Sequence, residues 1–368
     1  MKIVSIVGTR PNFMKIAPLV KEFKRHKMEN VLVHTGQHYD FQMSRLFFDE
    51  LGLPKPDEHL GCPSELGQEE QKTFLRKAIA GVLKRQKPDL VVVVGDVNST
   101  VAGAEAAHEL GIKVAHVEAG LRSFDMSMPE EANRIRTDEI SDFLFTTEKS
   151  GNSNLLKEGI HKEKIFFVGN VMIDTLLGHK KKASESKILD NLSLKKKEYC
   201  VLTLHRPSNV DNKKDFENIL SILEEVSKKT RIAFPIHPRT RKNIESFSLG
   251  EKIKSMENLV LTGPLGYLDF LCLISNSMLV LTDSGGIQEE TTVLGVPCIT
   301  LRNNTERPVT SEQGTNLLIS TDKEKVIAKS LDVINGKIKL NNRLPELWDG
   351  KAAERIVRIL LDSGNRKH

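Results

Sequence analysis

The chain has 368 residues, too many for one compact core, so two domains that each bury their own are expected. With 39% hydrophobic residues and a mean hydropathy of -0.29 it reads as an ordinary globular protein, and no apolar run approaches the roughly 18 residues of a membrane span. Its net charge of +5 is spread along the chain, whereas a nucleic-acid binder concentrates Lys and Arg on one element or tail.

The apolar stretch ahead of Gly8 is too short for a signal peptide, lacks a cleavage site and reads as a first strand. Short β-branched runs at residues 2–7, 31–35, 90–94, 113–117, 143–146 and 165–168 read as strands, with helical patterns at 15–23, 66–85, 100–110 and 130–140 between them. Continuous runs such as Leu90-Val91-Val92-Val93-Val94 suit strands buried on both faces, as in a parallel sheet. Around residues 178–197 the pattern lapses into charged and small residues. There Lys180-Lys181-Lys182 and Lys195-Lys196-Lys197 read as a solvated linker or helix surface. Strands resume at 200–204, 232–236, 259–262, 278–282, 298–301 and 317–319. The expected fold is α/β, two doubly wound Rossmann-like domains facing a central cleft, over residues 1–170 and 171–350. A helix over 351–368 is expected to pack back on the N-terminal domain. Cys62, Cys200, Cys272 and Cys298 are scattered, without metal-ligand spacing, so free thiols in a reducing cytoplasm and no metal are expected.

In the second domain a strand runs into Asp283-Ser284-Gly285-Gly286, with a helix expected from Ile287. Such a turn fits a plain tight connection, or a phosphate held by a helix start. Glu289 and Glu290 would then fall in the first turn, where a carboxylate either caps the dipole or accepts ribose hydroxyls. Arg307, in Glu306-Arg307-Pro308, is expected on a loop. In the first domain Gly8-Thr9-Arg10-Pro11-Asn12 is not a dinucleotide fingerprint, because Arg10 and Pro11 stand where open backbone is needed. It places Arg10 and Lys15 at a strand end and helix start, where a diphosphate is a more comfortable neighbour than the helix dipole.

Asp96, Glu118 and Glu130 each lie just beyond a strand end or at a helix start of the first domain. One such acid is commonly a cap. Three converging on one sheet edge cost energy unless each is paired or used. His205 in Thr203-Leu204-His205-Arg206-Pro207 and His237 in His237-Pro238-Arg239 follow strands of the second domain and suit proton transfer or phosphate contact.

These motifs occur in a set order. It runs Gly8-Thr9-Arg10-Pro11 with Lys15, Thr35-Gly36-Gln37-His38, Gly95-Asp96, His116-Val117-Glu118-Ala119-Gly120-Leu121-Arg122 and Pro129-Glu130-Glu131-Ala132-Asn133-Arg134. There follow His205-Arg206, His237-Pro238, Asp283 to Glu290, and Thr305-Glu306-Arg307-Pro308. In this order, from about residue 2 to about residue 360, the chain resembles the non-hydrolysing UDP-N-acetylglucosamine 2-epimerase family. The resemblance implies a glycosyltransferase-B-type fold, a homodimer, and no cofactor. It implies a diphosphate contacted by Arg10, Lys15, Ser284, Gly285 and Gly286, a ribose on Glu290, a base near Phe270, and Arg307 beside the nucleotide. It implies catalytic roles for Asp96, Glu118, Glu130 and His205, and matches Gln37 to an allosteric UDP-N-acetylglucosamine site.

The chemistry agrees with that resemblance. The sugar C2 hydrogen has no adjacent carbonyl, so its direct removal would leave an unstabilised carbanion. If the C1–O bond to UDP breaks as the C2 proton leaves, a glycal and UDP form, and re-addition from the other face inverts C2. That route needs carboxylates for proton transfer and cations for the departing diphosphate. The expected reaction is UDP-N-acetylglucosamine to UDP-N-acetylmannosamine. The alternatives are a 2-epimerase of a diacetamido-uronic acid UDP-sugar, a hydrolysing 2-epimerase, and a glycosyltransferase of the same fold.

Overall fold

The structure is a computed structural model that describes residues 1–37, 41–63, 65–338, 341 and 343–365; His38 lies outside the described residues. The chain divides into two compact units, Met1–Gly178 with Glu346–His368, and His179–Pro345.

The first unit is built on seven strands, β1 (Lys2–Val7), β2 (Glu29–His34), β3 (Glu58–His59), β4 (Leu90–Val94), β5 (Lys113–Ala119), β6 (Phe143–Thr146) and β7 (Ile165–Phe167). They are ordered β3-β2-β1-β4-β5-β6-β7 and every neighbouring pair is parallel. The all-valine run of β4 is fully buried, as its composition requires. The strand order reverses between β1 and β4, and at such a switch point two connections leave in opposite directions and open a crevice at the carboxyl ends. Thr9–Lys15 follow β1 and Gly95-Asp96 follow β4, so both motifs stand at this crevice.

The second unit repeats the plan with β8 (Tyr199–Thr203), β9 (Arg231–Pro235), β10 (Leu259–Thr262), β11 (Leu279–Thr282), β12 (Cys298–Thr300) and β13 (Asn316–Leu318). The order is β10-β9-β8-β11-β12-β13, again all parallel, and the switch point lies between β8 and β11. His205 follows β8 and Asp283 follows β11, so the second motif set also stands at a switch point.

Two helix starts and one segment expected to be irregular differ in ways that bear on the site. The helix expected over 15–23 runs Arg10–Arg25 and takes in Arg10 and Pro11. Proline is preorganised for a helix start and needs no partner for the N–H it lacks. The Asn12 side chain accepts from Gly8 and Thr9 N–H, at 3.1 Å each, and donates to Val94 O at 2.9 Å, tying the β1 turn to β4. The helix expected from Ile287 starts at Gly285. Helix Val171–Ala183 occupies the segment where the pattern lapses, with Lys180, Lys181 and Lys182 exposed in its last turn, where cations suit the dipole.

The final helix, Ala352–Asn365, belongs to the first unit and packs against helix Arg10–Arg25. Its first turn is held by the Asp174 carboxylate, which accepts from Ala352 N at 3.1 Å and Ala353 N at 2.8 Å. Burial raises the Asp174 pKa to about 6 despite these two bonds.

Candidate active site

In the first unit Lys15 and Glu118 form a buried ion pair, with Nζ 2.7 Å from Oε2. Lys15 is therefore not a surface charge at a helix start. Glu118 lies within β5, where the β5–β6 register shifts, and its φ of 78° puts a non-glycine residue in the left-handed region. Backbone held in such a conformation costs energy and persists only where its surroundings over-determine it. Gly95, with φ 71°, packs against the same pair, and a Cβ there would come within 2.7 Å of Lys15 Nζ. The Gly95 carbonyl faces His116 Nε2 at 2.8 Å, and His116 Nδ1 faces Asp138 at 2.7 Å. Asp138 is also paired at 2.7 Å with Arg122, which forks onto Glu158. This polar scaffold fixes the backbone from which Glu118 and Asp96 project.

Asp96 receives Arg134 Nε at 3.0 Å and Nη2 at 2.9 Å, and its carbonyl accepts from Asn133 at 3.0 Å. Both partners come from helix Pro129–Ile140. Arg134 also pairs with buried Glu131, which accepts from Ser123 N, Ser123 Oγ and Phe124 N. Glu130 is half-buried in the first turn of that helix, and among the described residues no side-chain bond or ion pair involves it. The helix N-cap is Met128, so Glu130 does not cap it. Arg10 is half-buried with its guanidinium 5.5 Å from the Phe47 ring. Gln37 Oε1 accepts from Ser99 N at 3.0 Å and Ser99 Oγ at 2.6 Å.

In the second unit His205 Nδ1 lies 2.9 Å from Asp283 Oδ1. Asp283 is fully buried and also accepts from His205 N, Arg206 N and Asn209 Nδ2. Burial alone would raise its pKa; the His205 charge and these donors hold it down at about 2. A carboxylate at Nδ1 requires the proton there and leaves Nε2 for other work.

Ser284 N-caps helix Gly285–Leu294, and a Cβ on Gly285 would collide with the Arg307 guanidinium and come within 2.6 Å of Glu306 Oε1. Arg307 stands on a loop, as expected from sequence, but is buried at 4% exposure rather than solvated. Its Nε donates to buried Glu289 at 2.7 Å and Nη1 pairs with Glu306, which also takes Arg302 at 2.8 Å. Arg206 approaches Glu306 at 3.7 Å. Three guanidinium groups thus face two carboxylates near a helix N-terminus, an arrangement with positive charge to spare for an anion.

Because the helix starts at Gly285, Glu289 and Glu290 lie beyond its first turn, and dipole capping does not account for them. Glu290 is buried, and burial raises its pKa to about 8, with the Tyr267 hydroxyl opposing and Glu289 adding to the rise. Phe270 is half-buried on helix Tyr267–Ser275, which packs against helix Gly285–Leu294. The His237 ring lies 5.6 Å from that of His205. Among the described residues no group of three His, Cys, Asp or Glu side chains is arranged to hold a metal ion.

Of the expected site residues, the first unit gathers Arg10, Lys15, Asp96, Glu118 and Glu130 at its switch point and on the helix braced to it. The second gathers His205, Ser284, Gly285, Gly286, Glu290 and Arg307, with Phe270 on the adjoining helix. Sequence reasoning left Arg122, Glu131, Arg134, Asp138, Tyr267, Asp283, Arg302 and Glu306 without roles, although most stand inside the motifs.

The family model described as UDP-N-acetylglucosamine 2-epimerase matches residues 21–361. A Methanococcus maripaludis protein named UDP-N-acetylglucosamine 2-epimerase homolog is 48% identical over 362 residues, covering 98% of this chain and 99% of its own length. A Pseudomonas aeruginosa UDP-2,3-diacetamido-2,3-dideoxy-D-glucuronate 2-epimerase is 37% identical, covering 98% and 99% respectively. The crystal structure of Methanocaldococcus jannaschii UDP-GlcNAc 2-epimerase in complex with UDP-GlcNAc and UDP superposes with a TM-score of 0.92 at 44% identity, covering 98% of this chain and 100% of that one. With its two parallel sheets and these neighbours, the chain has the α/β, glycosyltransferase-B-type fold and belongs to the UDP-N-acetylglucosamine 2-epimerase family.

Proposed function

We propose that the protein inverts C2 of UDP-N-acetylglucosamine, giving UDP-N-acetylmannosamine, by eliminating and re-adding UDP. The observation that carries this reading is the near-complete structural match to the 2-epimerase solved with UDP-GlcNAc and UDP. The side chains support the mechanism. A general base must be held in place to act, and Glu118 paired with Lys15 and Asp96 paired with Arg134 are each fixed by a cation at 2.7 Å and 2.9 Å. One carboxylate takes the C2 proton as the C1–O electron pair leaves with the diphosphate. UDP then returns to C1 as a proton is delivered to the opposite face of C2, and half-buried Glu130 completes the acid set. In the second unit the start of helix Gly285–Leu294 and Arg307 are assigned to the diphosphate. Glu290 is assigned to the ribose and Phe270 to the base. His205, oriented by Asp283, is assigned to the leaving group, where Nε2 stabilises the charge that develops. The assembly proposed is a homodimer, which light scattering tests.

Incubation with UDP-N-acetylglucosamine alone tests the reaction: an equilibrium mixture with the C2 epimer supports the reading. Release of free N-acetylmannosamine would indicate hydrolysis instead. The 37% identical diacetamido-uronate relative makes that sugar the rival substrate. Turnover of it in preference to UDP-N-acetylglucosamine would reassign the substrate.

A further inference from the structure

Two adjacent acids stand in the first turn of helix Pro129–Ile140, and the mechanism uses only Glu130. Its neighbour Glu131 is 1% exposed, and its carboxylate gathers the loop that precedes the helix. Ser123 N donates to both oxygens at 3.1 and 3.0 Å, Ser123 Oγ donates at 2.9 Å, and Phe124 N donates at 2.9 Å. Phe124 is exposed, and its φ of 58° puts a bulky residue in the left-handed region. Such backbone persists only where its surroundings over-determine it, and two successive N–H groups converging on one anion do so.

The same carboxylate takes Nη1 of Arg134, three residues on along the helix. The other edge of that guanidinium grips Asp96, with Nε at 3.0 Å and Nη2 at 2.9 Å, both on Oδ2. A guanidinium is rigid and planar, so holding its Nη1 corner sets the direction of the Nε and Nη2 edge. Asn133 of the same helix holds the Asp96 carbonyl at 3.0 Å, so main chain and side chain of Asp96 are both referred to this helix. Resting on the reading that Asp96 acts at the sugar, we infer that Glu131 is a positioning residue. Through Arg134 it aims the Asp96 carboxylate, and through Ser123 and Phe124 it ties that aim to the loop ahead of Glu130. Without Glu131 the guanidinium keeps its charge and loses a contact that aims it.

The test is a double-mutant cycle on turnover of UDP-N-acetylglucosamine, with wild type, Glu131→Gln, Asp96→Asn and the double variant. UDP calorimetry and thermal melting accompany it. Glu131→Gln keeps the shape and removes the charge, so it should lower kcat roughly tenfold or more while KM and UDP affinity stay within about twofold. In the Asp96→Asn background the same substitution should cost no further turnover, because its effect runs through the carboxylate already removed. Losses that multiply in the double variant would make Glu131 merely structural and overturn the proposal. So would an unchanged kcat in Glu131→Gln, or a fall in UDP affinity that matches the fall in kcat. If Glu131→Gln does not fold, Glu131→Asp runs the same cycle, keeping the charge but withdrawing it by one methylene, with the same non-additivity expected. The premise fails separately, and the proposal with it, if Asp96→Asn alone keeps the wild-type turnover.

Discussion

Lys15 Nζ and Glu118 Oε2 meet at 2.7 Å with both side chains buried, so a cation expected at the diphosphate and an acid expected at the sugar are one another's counter-charge. Breaking a buried pair from one side leaves the other charge uncompensated. Glu118→Gln should therefore lose on the order of 3 kcal/mol of stability as well as about a hundredfold or more in turnover. Adding Lys15→Met should return much of the stability and none of the activity. Denaturant unfolding of both single variants and the double variant measures the coupling; additive losses would show that the pair carries none.

Asp96 is part exposed and braced by Arg134, so Asp96→Asn should cost only about 1 kcal/mol while lowering turnover as strongly as Glu118→Gln. Glu130→Gln should leave the melting temperature unchanged, because no cap or ion pair depends on that carboxylate among the described residues. A clear fall in its melting temperature, with turnover intact, would return Glu130 to a structural role.

Arg307 is held by Glu289 and Glu306 in the interior, and its removal takes a guanidinium from each, although Glu306 keeps Arg302. Arg307→Ala should lower stability by about 3 kcal/mol or more and weaken UDP binding. Normal UDP affinity in the folded fraction, measured by calorimetry, would release Arg307 from the nucleotide site.

Two carboxyls give opposite pH signatures. Asp283 is held at about 2, below the 3.8 of an ordinary aspartate, so it stabilises the fold above pH 3.8, and that contribution, about 2 kcal/mol, is lost as pH falls through 2. The stability advantage of wild type over Asp283→Asn should shrink between pH 5 and pH 2. Glu290 is raised to about 8 from 4.5, so its contribution is full below pH 4.5 and is lost as pH rises through 8. Glu290→Gln should accordingly gain on wild type between pH 5 and pH 9. A flat difference in either comparison would contradict the corresponding environment.

The strands other than edge strand β3 (Glu58–His59) were legible because buried parallel strands demand β-branched runs, and Leu90–Val94 needs no further signal. Helix starts were read late at Arg10 and Gly285, although Thr9 ahead of Pro11 is the usual pattern for a proline in the first turn. The motifs placed Asp96, His205 and the glycine turn beyond strand ends and Glu130 at a helix start, as the structure has them, whereas Glu118, expected beyond a strand, lies inside β5. They did not show that Arg307 is buried or that Glu131, not Glu130, carries the hydrogen bonds. Periodicity reports which face of an element is apolar, and a polar pair buried at a strand end leaves no trace in it.

The central claim is that the C1–O bond to UDP breaks as the C2 proton leaves, and the most direct measurement is the reaction of UDP-N-acetylglucosamine in deuterium oxide, followed by NMR at C2. The product should carry solvent deuterium at C2, because the proton taken by a carboxylate exchanges before another is delivered. UDP-N-acetylmannosamine formed with the original hydrogen still at C2 would contradict the elimination mechanism and point to internal hydride transfer.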